Sequence, residues 1–473
     1  NSVIDILYQP RRSSVWLGTG KGLAIFHRDS LTWRIVGEAS GLGKGGVSAV
    51  ALRGDTVWAA TAYSVQVSGT FYPAGGGIGL STDGGATWRW MPQPIDSSDI
   101  TNYRPTTTNI QNLIYDIALT DSQVWIASFG GGLRRLRTDR LNFAQPESLR
   151  WEVITVDRES FNPLLRLSHR LFSVAYDGNS LWAGSAAGVH RSDDGGNTWQ
   201  SFNSADGFLT GDFVTALGIQ YTGNDTLVWA ATWQALRAGE YYGVCVTQDR
   251  GRTWRVALSD STLFSSGQDS GKFLVDLYGP LRAHNFGFKG DTVFVATDGA
   301  LWRSPDRGNS WDYPPLTTVY DPRLNERLDF PNFYSTHTVG DTIWIGTNEG
   351  LVMLTPSGFS IIRAFRPAGE ESEPLTYAYP SPFSPRRGHI TRFQFSLSSP
   401  QQAEATVLNF AGEKVWESGT ISLPGGGSGI MRGYASIYWD GRDRWGSIVA
   451  NGVYFYRLKV NQNILWGKVM VVD

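Results

Sequence analysis

Four aspartates stand at one place in four copies of an eight-residue pattern, Ser/Thr-x-Asp-x-Gly-x-Thr/Ser-Trp. The copies are Ser81–Trp88, Ser192–Trp199, Thr247–Trp254 and Ser304–Trp311. A carboxylate in such a turn could serve as a general acid or base, or as an oxygen ligand for calcium. Repetition argues against both, because a reaction needs one site and this pattern recurs. Asp83, Asp194, Asp249 and Asp306 are therefore expected to be structural. Each short acidic side chain can bond the amides of its own turn, and glycine supplies the positive-φ position.

Other chemistry is thinly supported. A glycosidase needs only two carboxylates across a cleft. Asp96, Asp99, Glu159, Asp260, Asp269, Asp276, Asp321, Glu326 and Asp329 are candidates that spacing does not sort. The six histidines, His27, His169, His190, His284, His337 and His389, show no metal-ligand spacing. There is no Gly-x-Ser-x-Gly elbow. Gly41–Gly46 matches Gly-x-Gly-x-x-Gly but leads into the strand-like Val47-Ser48-Ala49-Val50, so a loop is expected there. The expectation is no catalytic residue, no metal and no cofactor. A net charge of −2 without a basic run argues against nucleic acid. One cysteine, Cys245, excludes an internal disulfide framework. No apolar run reaches membrane-spanning length.

The elements that position these residues follow a repeat. Its cleanest copy is Asp341–Leu351: a polar turn, apolar-Trp-apolar, a small residue, Thr, then a Gly-containing turn into another apolar run. Related segments centre on Trp16, Trp58, Trp125, Trp182, Trp229 and Phe294, which makes seven copies. A repeat of roughly 40–50 residues built from short strands is the signature of a β-propeller blade. Each blade reads as four strands, A to D. A second tryptophan opens strand D at Trp33, Trp88, Trp151, Trp199, Trp254 and Trp311. These large rings are expected to pack one blade against the next. The expectation is an all-β chain: a seven-bladed propeller over residues 1–365, a polar linker at 366–375, and a small Ig-like sandwich over 376–473.

The four aspartate turns resemble the Asp-box of sialidases, xyloglucan-cleaving glycosidases and sortilin-like propellers. A sialidase would need an arginine triad and an early Arg-Ile-Pro-type motif, and neither stands in the first blades. Trp344–Leu351 and Trp16–Leu23 resemble propeller repeats in the periplasmic sensor regions of bacterial two-component systems. Those usually precede a membrane segment and a kinase, which this sequence lacks.

In a four-strand meander the B–C and D–A loops share one face. Most long insertions fall there: Ala62–Gly77, Pro92–Asn109, Asp157–His169, Gln234–Tyr242, Val256–Arg282 and Asp312–Pro331. Arg137–Arg150, a C–D insertion, is the exception. Long loops on a rigid scaffold commonly carry binding sites. The candidate binding residues are Tyr63, Tyr72, Tyr103, Arg104, Trp233, Tyr241, Tyr242, Tyr278, Arg282, Tyr320 and Arg323. Aromatics mixed with arginine suit sugar stacking or protein contact.

From Tyr379-Pro380-Ser381-Pro382-Phe383 through Trp439-Asp440-Gly441-Arg442-Asp443 and Gly452-Val453-Tyr454-Phe455-Tyr456, the chain resembles the Ig-like C-terminal domain of flagellar hook-capping proteins and of type IX secretion cargo. That resemblance implies export across an outer membrane and display at, or release from, the cell surface. The start at Asn1, directly followed by strand-like residues, reads as a mature end after removal of a signal peptide. Together these features predict a secreted, non-catalytic surface protein that binds a protein or glycan through its long-loop face. The alternative is a glycoside hydrolase or glycan-binding protein acting through the same face. The apolar closing strand Ile464–Val472, beside a propeller with a different surface, also fits a head-to-tail homopolymer, a filament or layer.

Overall fold

In a blade, the second strand is flanked on both sides and covered on both faces, so its sequence runs continuously apolar instead of alternating. The tryptophan-centred segments do this. Ser14–Thr19, Thr56–Val67, Gln123–Ser128, Leu181–Ser185, Asp225–Trp233, Thr292–Thr297 and Thr342–Thr347 are each the second strand of their sheet. The computed structural model describes all residues except 1, 68, 96–108, 139–149, 261–279, 323, 325, 330, 363–375, 398–400, 424–432 and 461–462.

The strands preceding them form the inner wall: Val3–Gln9, Gly46–Arg53, Ile114–Leu119, Leu171–Tyr176, Phe213–Thr222, Ala283–Lys289 and Phe333–Val339. Each packs against the inner strand of the next sheet, and Phe333–Val339 packs against Val3–Gln9 to complete the circle. At that closure the Ser335 hydroxyl donates to the Val3 carbonyl at 3.4 Å. Each of these seven sheets is an antiparallel meander in sequence order.

Three sequence expectations need correction. Trp311 opens no fourth strand: among the described residues the sixth sheet has three strands, and a single bridge, Leu301 to Leu316, stands where the fourth would run. The insertion Ala62–Gly77 is not a loop. It extends two strands into a ribbon, Thr56–Val67 paired with Thr70–Ser81, because Val65, Val67, Thr70, Phe71 and Tyr72 suit a pleated strand. Asp312–Pro331 likewise contains a hairpin, Thr318–Asp321 with Glu326–Asp329.

The two tryptophan sets also differ. Trp16, Trp58, Trp125, Trp182, Trp229 and Trp344 are fully buried. The strand-D set is only half-buried, and Trp33 is 40% exposed. Gly41–Gly46 is a loop into the strand Gly46–Arg53, as expected.

The contacts of the chain form two compact units. One comprises Asn1–Thr318, Asp329–Gly358 and Ile362–Ala364, and the other Val319–Leu328, Phe359–Ile361 and Phe365–Asp473. In the second, a three-stranded sheet (Tyr377–Tyr379, Thr391–Leu397, Gly433–Trp439) and a five-stranded sheet share one core. The five-stranded sheet holds Gln401–Leu408, Lys414–Glu417, Ile421–Leu423, Gly452–Val460 and Asn463–Val471. Phe393 from one sheet stacks on Tyr456 from the other, 4.2 Å between ring centroids. The strand Gly452–Val460 alternates, sending Tyr454, Tyr456, Leu458 and Val460 inward. Asn463–Val471 lies at the sheet's edge, with Ile464 and Trp466 more than half exposed. The Gly425–Gly429 tip and the 366–375 linker lie outside the described residues.

Candidate binding site at the channel mouth

One irregularity repeats in all seven inner strands. Each carries a β-bulge near its first residues, so one residue drops out of register with the second strand: Ile4, Ser48, Tyr115, Phe172, Thr215, His284 and Tyr334. A bulge bends the strand and re-aims a side chain. In a propeller the start of the inner strand lies on the face carrying the B–C and D–A loops. The bulges therefore shape that end of the central channel.

In five of the seven blades the side chain of the residue after the bulge ties its blade to a neighbour, Ala49 and Ala216 being the exceptions. The Asp5 carboxylate accepts from the Val50 amide at 2.9 Å, and Asp116 from the Val174 amide at 2.9 Å. Asn285 accepts from the Thr336 amide at 3.3 Å, and the Ser173 hydroxyl donates to the Val214 carbonyl at 3.5 Å. The inner strands enclose a channel of about 510 Å³, lined by Asp5, Ser48, Tyr115, Asp116, Phe172, Thr215, His284 and His337 among others.

Burial pushes the Asp5 carboxyl up to about 6, against the lowering effect of its amide partners Val50 and Ile6. Burial pushes Asp116 up to about 7, and the charge of Asp5 adds to the rise. Raised carboxyl pairs are what acid–base catalysis uses. Here, however, the oxygens are engaged. Both oxygens of Asp116 accept amide hydrogen bonds, Ile117 on one and Val174 on the other. They act as ties between blades.

Above these ties runs an arc of rings. Tyr115 meets Phe172 at 5.5 Å, Phe172 meets Phe213 at 4.2 Å, and Phe213 stacks on Trp233 at 6.4 Å. Trp233 then meets His284 at 5.6 Å, and His284 meets Tyr334 at 5.5 Å. The arc crosses five consecutive blades, the third to the seventh. Tyr242 stands edge-on to Trp233 at 6.3 Å, and the Arg282 guanidinium lies over both rings at 5.8 and 5.5 Å. His284 is held by Asp298 at 2.7 Å. Trp233 donates its indole N–H to the Ala283 carbonyl, which fixes the ring.

Of the residues expected from sequence, Trp233, Tyr242 and Arg282 come together. Tyr241 is 37% exposed beside them in the chain. Tyr63 lies apart, its hydroxyl accepting from Asn109 at 2.6 Å and its ring under Lys44. Tyr72 is on the ribbon opposite Val65, and Tyr320 is in the hairpin strand Thr318–Asp321. Tyr103, Arg104, Tyr278 and Arg323 lie outside the described residues, as do Asp96, Asp99, Asp269 and Asp276. Of the remaining candidate carboxylates, Glu159 pairs with Arg166, Asp260 accepts from Leu281, buried Asp321 accepts from Ile361 and Asp329 accepts from the Thr318 hydroxyl, while the side chain of Glu326 is not among those described. Tyr115, Phe172, Phe213, His284 and Tyr334 are absent from the residues expected from sequence. An aromatic one residue ahead of a small polar residue in strand A (Tyr115-Asp116, Phe172-Ser173, His284-Asn285, Tyr334-Ser335) is the signal that marks four of them.

The four aspartate turns share one hydrogen-bond pattern. In each, the carboxylate accepts from the backbone amide and the hydroxyl of the residue four positions on: Thr87, Thr198, Thr253 and Ser310. The hydroxyl two residues before the aspartate donates to it as well. Hydrogen bonds from Thr87 and Thr198 hold Asp83 and Asp194 down at about 2. Among the described residues no group of three or more His, Cys, Asp or Glu could hold a metal ion. Among the same residues no helix is long and apolar enough to cross a membrane.

No protein-family model matches the chain, and no curated protein does. Similar solved structures exist at low identity. An ancestral GH74 enzyme has a TM-score of 0.51 at 14% identity, over 99% of this chain and 62% of its own. PorZ, a bacterial surface component of the type-IX secretion system of Porphyromonas gingivalis, gives 0.43 at 13%, over 100% of this chain and 66% of its own. The extracellular domain of BT4673 from B. thetaiotaomicron gives 0.39 at 12%, over 100% and 75%. These are likenesses of fold. The chain spans less than two thirds of the length of the first two.

Proposed function

We propose that this chain is a non-catalytic binding protein of the cell surface that takes a glycan or protein partner at the aromatic mouth of its propeller. The observation that carries this reading is the unbroken arc from Tyr115 to Tyr334, which joins rings from five blades along one rim, all of them part-exposed but buried Phe172. Flat rings on a rigid frame supply contact area at little cost in conformational entropy. In this reading residues 1–365 are the propeller and 376–473 a sorting or anchoring domain. The exposed edge strand Asn463–Val471 is where copies could join into a filament or layer. A hydrolytic reading rests on the raised carboxyls Asp5 and Asp116. It is the weaker one, because their oxygens already serve neighbouring amides. The test is a screen of polysaccharides and peptides with the wild type and Trp233→Ala. Ligands lost with the ring support the reading. Binding indifferent to the ring, or release of reducing sugar, overturns it.

A further inference from the structure

Arg282 is held in an unusual way. Its guanidinium lies over Trp233 and Tyr242, so the rings occupy its flat surface. Its Nε is buried without a hydrogen-bond partner. Asp298 holds His284 through Oδ1 at 2.7 Å, and its Oδ2 stands 3.8 Å from the Arg282 Nη1, an ion-pair distance without a hydrogen bond. Among the described residues no side-chain hydrogen bond uses the Arg282 fork. Its side chain is 44% exposed, so an incoming group can reach it. A buried N–H left unpaired costs free energy, and the stack keeps the guanidinium from turning away to find water.

We infer that Arg282 anchors a carboxylate carried on a polysaccharide: the mouth takes an acidic, uronate-type chain. This rests on the binding reading above and adds the charge of the ligand to it. With its flat surface covered, the guanidinium has its edge left for recognition. Because Nε is buried, the reachable edge is the terminal Nη1–Nη2 pair, whose two N–H donors can receive a planar carboxylate bidentately. Trp233 and Tyr242 are taken up in holding the anchor, and the rim continues on either side of them to part-exposed Tyr334 and to Tyr115, 40% exposed, where the apolar faces of adjoining sugars can stack. A carboxylate and an aromatic-stacking backbone on one molecule describe a uronic-acid polymer better than a neutral glycan. Asp298 sets an upper limit on this preference, because it shares the neighbourhood and repels the same group.

The probes are polygalacturonate, the same polymer fully methyl-esterified, and polyglutamate, titrated against the wild type, Arg282→Gln, Arg282→Lys and Trp233→Ala. The wild type should bind polygalacturonate and bind the esterified chain at least about tenfold more weakly, as loss of a charge-assisted hydrogen bond implies. Arg282→Gln should lose that preference. Arg282→Lys should recover only part of it, because an ammonium lacks the fork. Unchanged thermal melting of the two Arg282 variants separates loss of the anchor from loss of fold. Equal binding of charged and esterified polymers would overturn the anchor while leaving the mouth as a glycan site. Tight binding of polyglutamate would assign the carboxylate to a peptide and overturn the polysaccharide. Binding of none of the three would overturn the proposal.

Discussion

The Trp199 ring stands edge-on to the Trp125 ring, 6.3 Å between centroids and 83° between planes, across the boundary between the third and fourth blades. The same arrangement joins Trp88 to Trp16, Trp151 to Trp58 and Trp254 to Trp182. Edge-to-face pairing suits the ring quadrupoles. It also explains the half-burial of the strand-D tryptophans, which reach back to cover the buried strand-B ring of the preceding blade. The glycine of the aspartate turn completes the joint. At Gly196, φ is +88° and an added Cβ would lie 2.2 Å from Trp125. Trp125→Ala should cost about 3–5 kcal/mol. Gly196→Ala should cost about 1–3 kcal/mol from overpacking and the left-handed backbone. Urea unfolding measures both, and a Gly196→Ala protein as stable as wild type would contradict the joint.

Asp194 should matter to stability and not to binding. Asp194→Ala removes an acceptor used by Ser192, Asn197 and Thr198. Water can replace part of it at this exposed turn, so a loss of roughly 1 kcal/mol is expected. The folded carboxyl is lowered to about 2. Its contribution is therefore complete above the ordinary carboxylate value and disappears as pH falls toward the folded value. Melting curves should show the wild type and the variant separated at neutral pH and converging in strong acid, with the ligand affinity of the two equal at neutral pH.

The channel carboxyls give the opposite slope. Asp5 and Asp116 are raised in the folded state to about 6 and about 7. Stability from their protonated forms is full below the unfolded value and is lost as pH rises through the folded values. His190, lowered by burial to about 4, and His337, also lowered by burial, act the other way: folding is favoured as pH rises toward the ordinary histidine value. The difference between wild type and Asp116→Asn isolates the carboxyl. The substituted amide carries no charge and keeps one of the two acceptor oxygens that Ile117 and Val174 use, a loss that does not vary with pH. The variant should therefore gain on the wild type as pH rises from about 5 to about 8, by on the order of 1 kcal/mol or more. A pH-independent difference would contradict the burial of an ionisable group there.

The blade pattern is legible in the sequence because a central strand must be apolar on both faces. Trp344 and its six counterparts announce that directly, and the aspartate turns are local hydrogen-bonding units that need no distant partner. The mouth is legible only in part. Trp233, Tyr242 and Arg282 stand out as aromatics and arginine beside a long insertion. Tyr115, Phe172 and Tyr334 look like ordinary strand residues, and only a bulge, a register event between two strands, turns them to the rim. Asp5 and Asp116 are hidden for a similar reason, since their burial comes from seven inner strands closing a ring. The ribbon at Ala62–Gly77 reads as a loop because its glycines mask its β-branched and aromatic residues.

The most direct test of the binding account is a glycan array probed with the wild type and with Trp233→Ala, alongside an assay for released reducing sugar. Trp233 sits mid-arc, between Phe213 and His284. An aromatic contact is worth about 0.5–1.5 kcal/mol beyond its buried area, and removing Trp233 also takes away the ring on which Phe213 and Arg282 pack. The account predicts glycans bound by the wild type, signal reduced about tenfold or more in the variant, and no released sugar. Glycan binding that survives the loss of Trp233, or cleavage of a bound glycan, would contradict it.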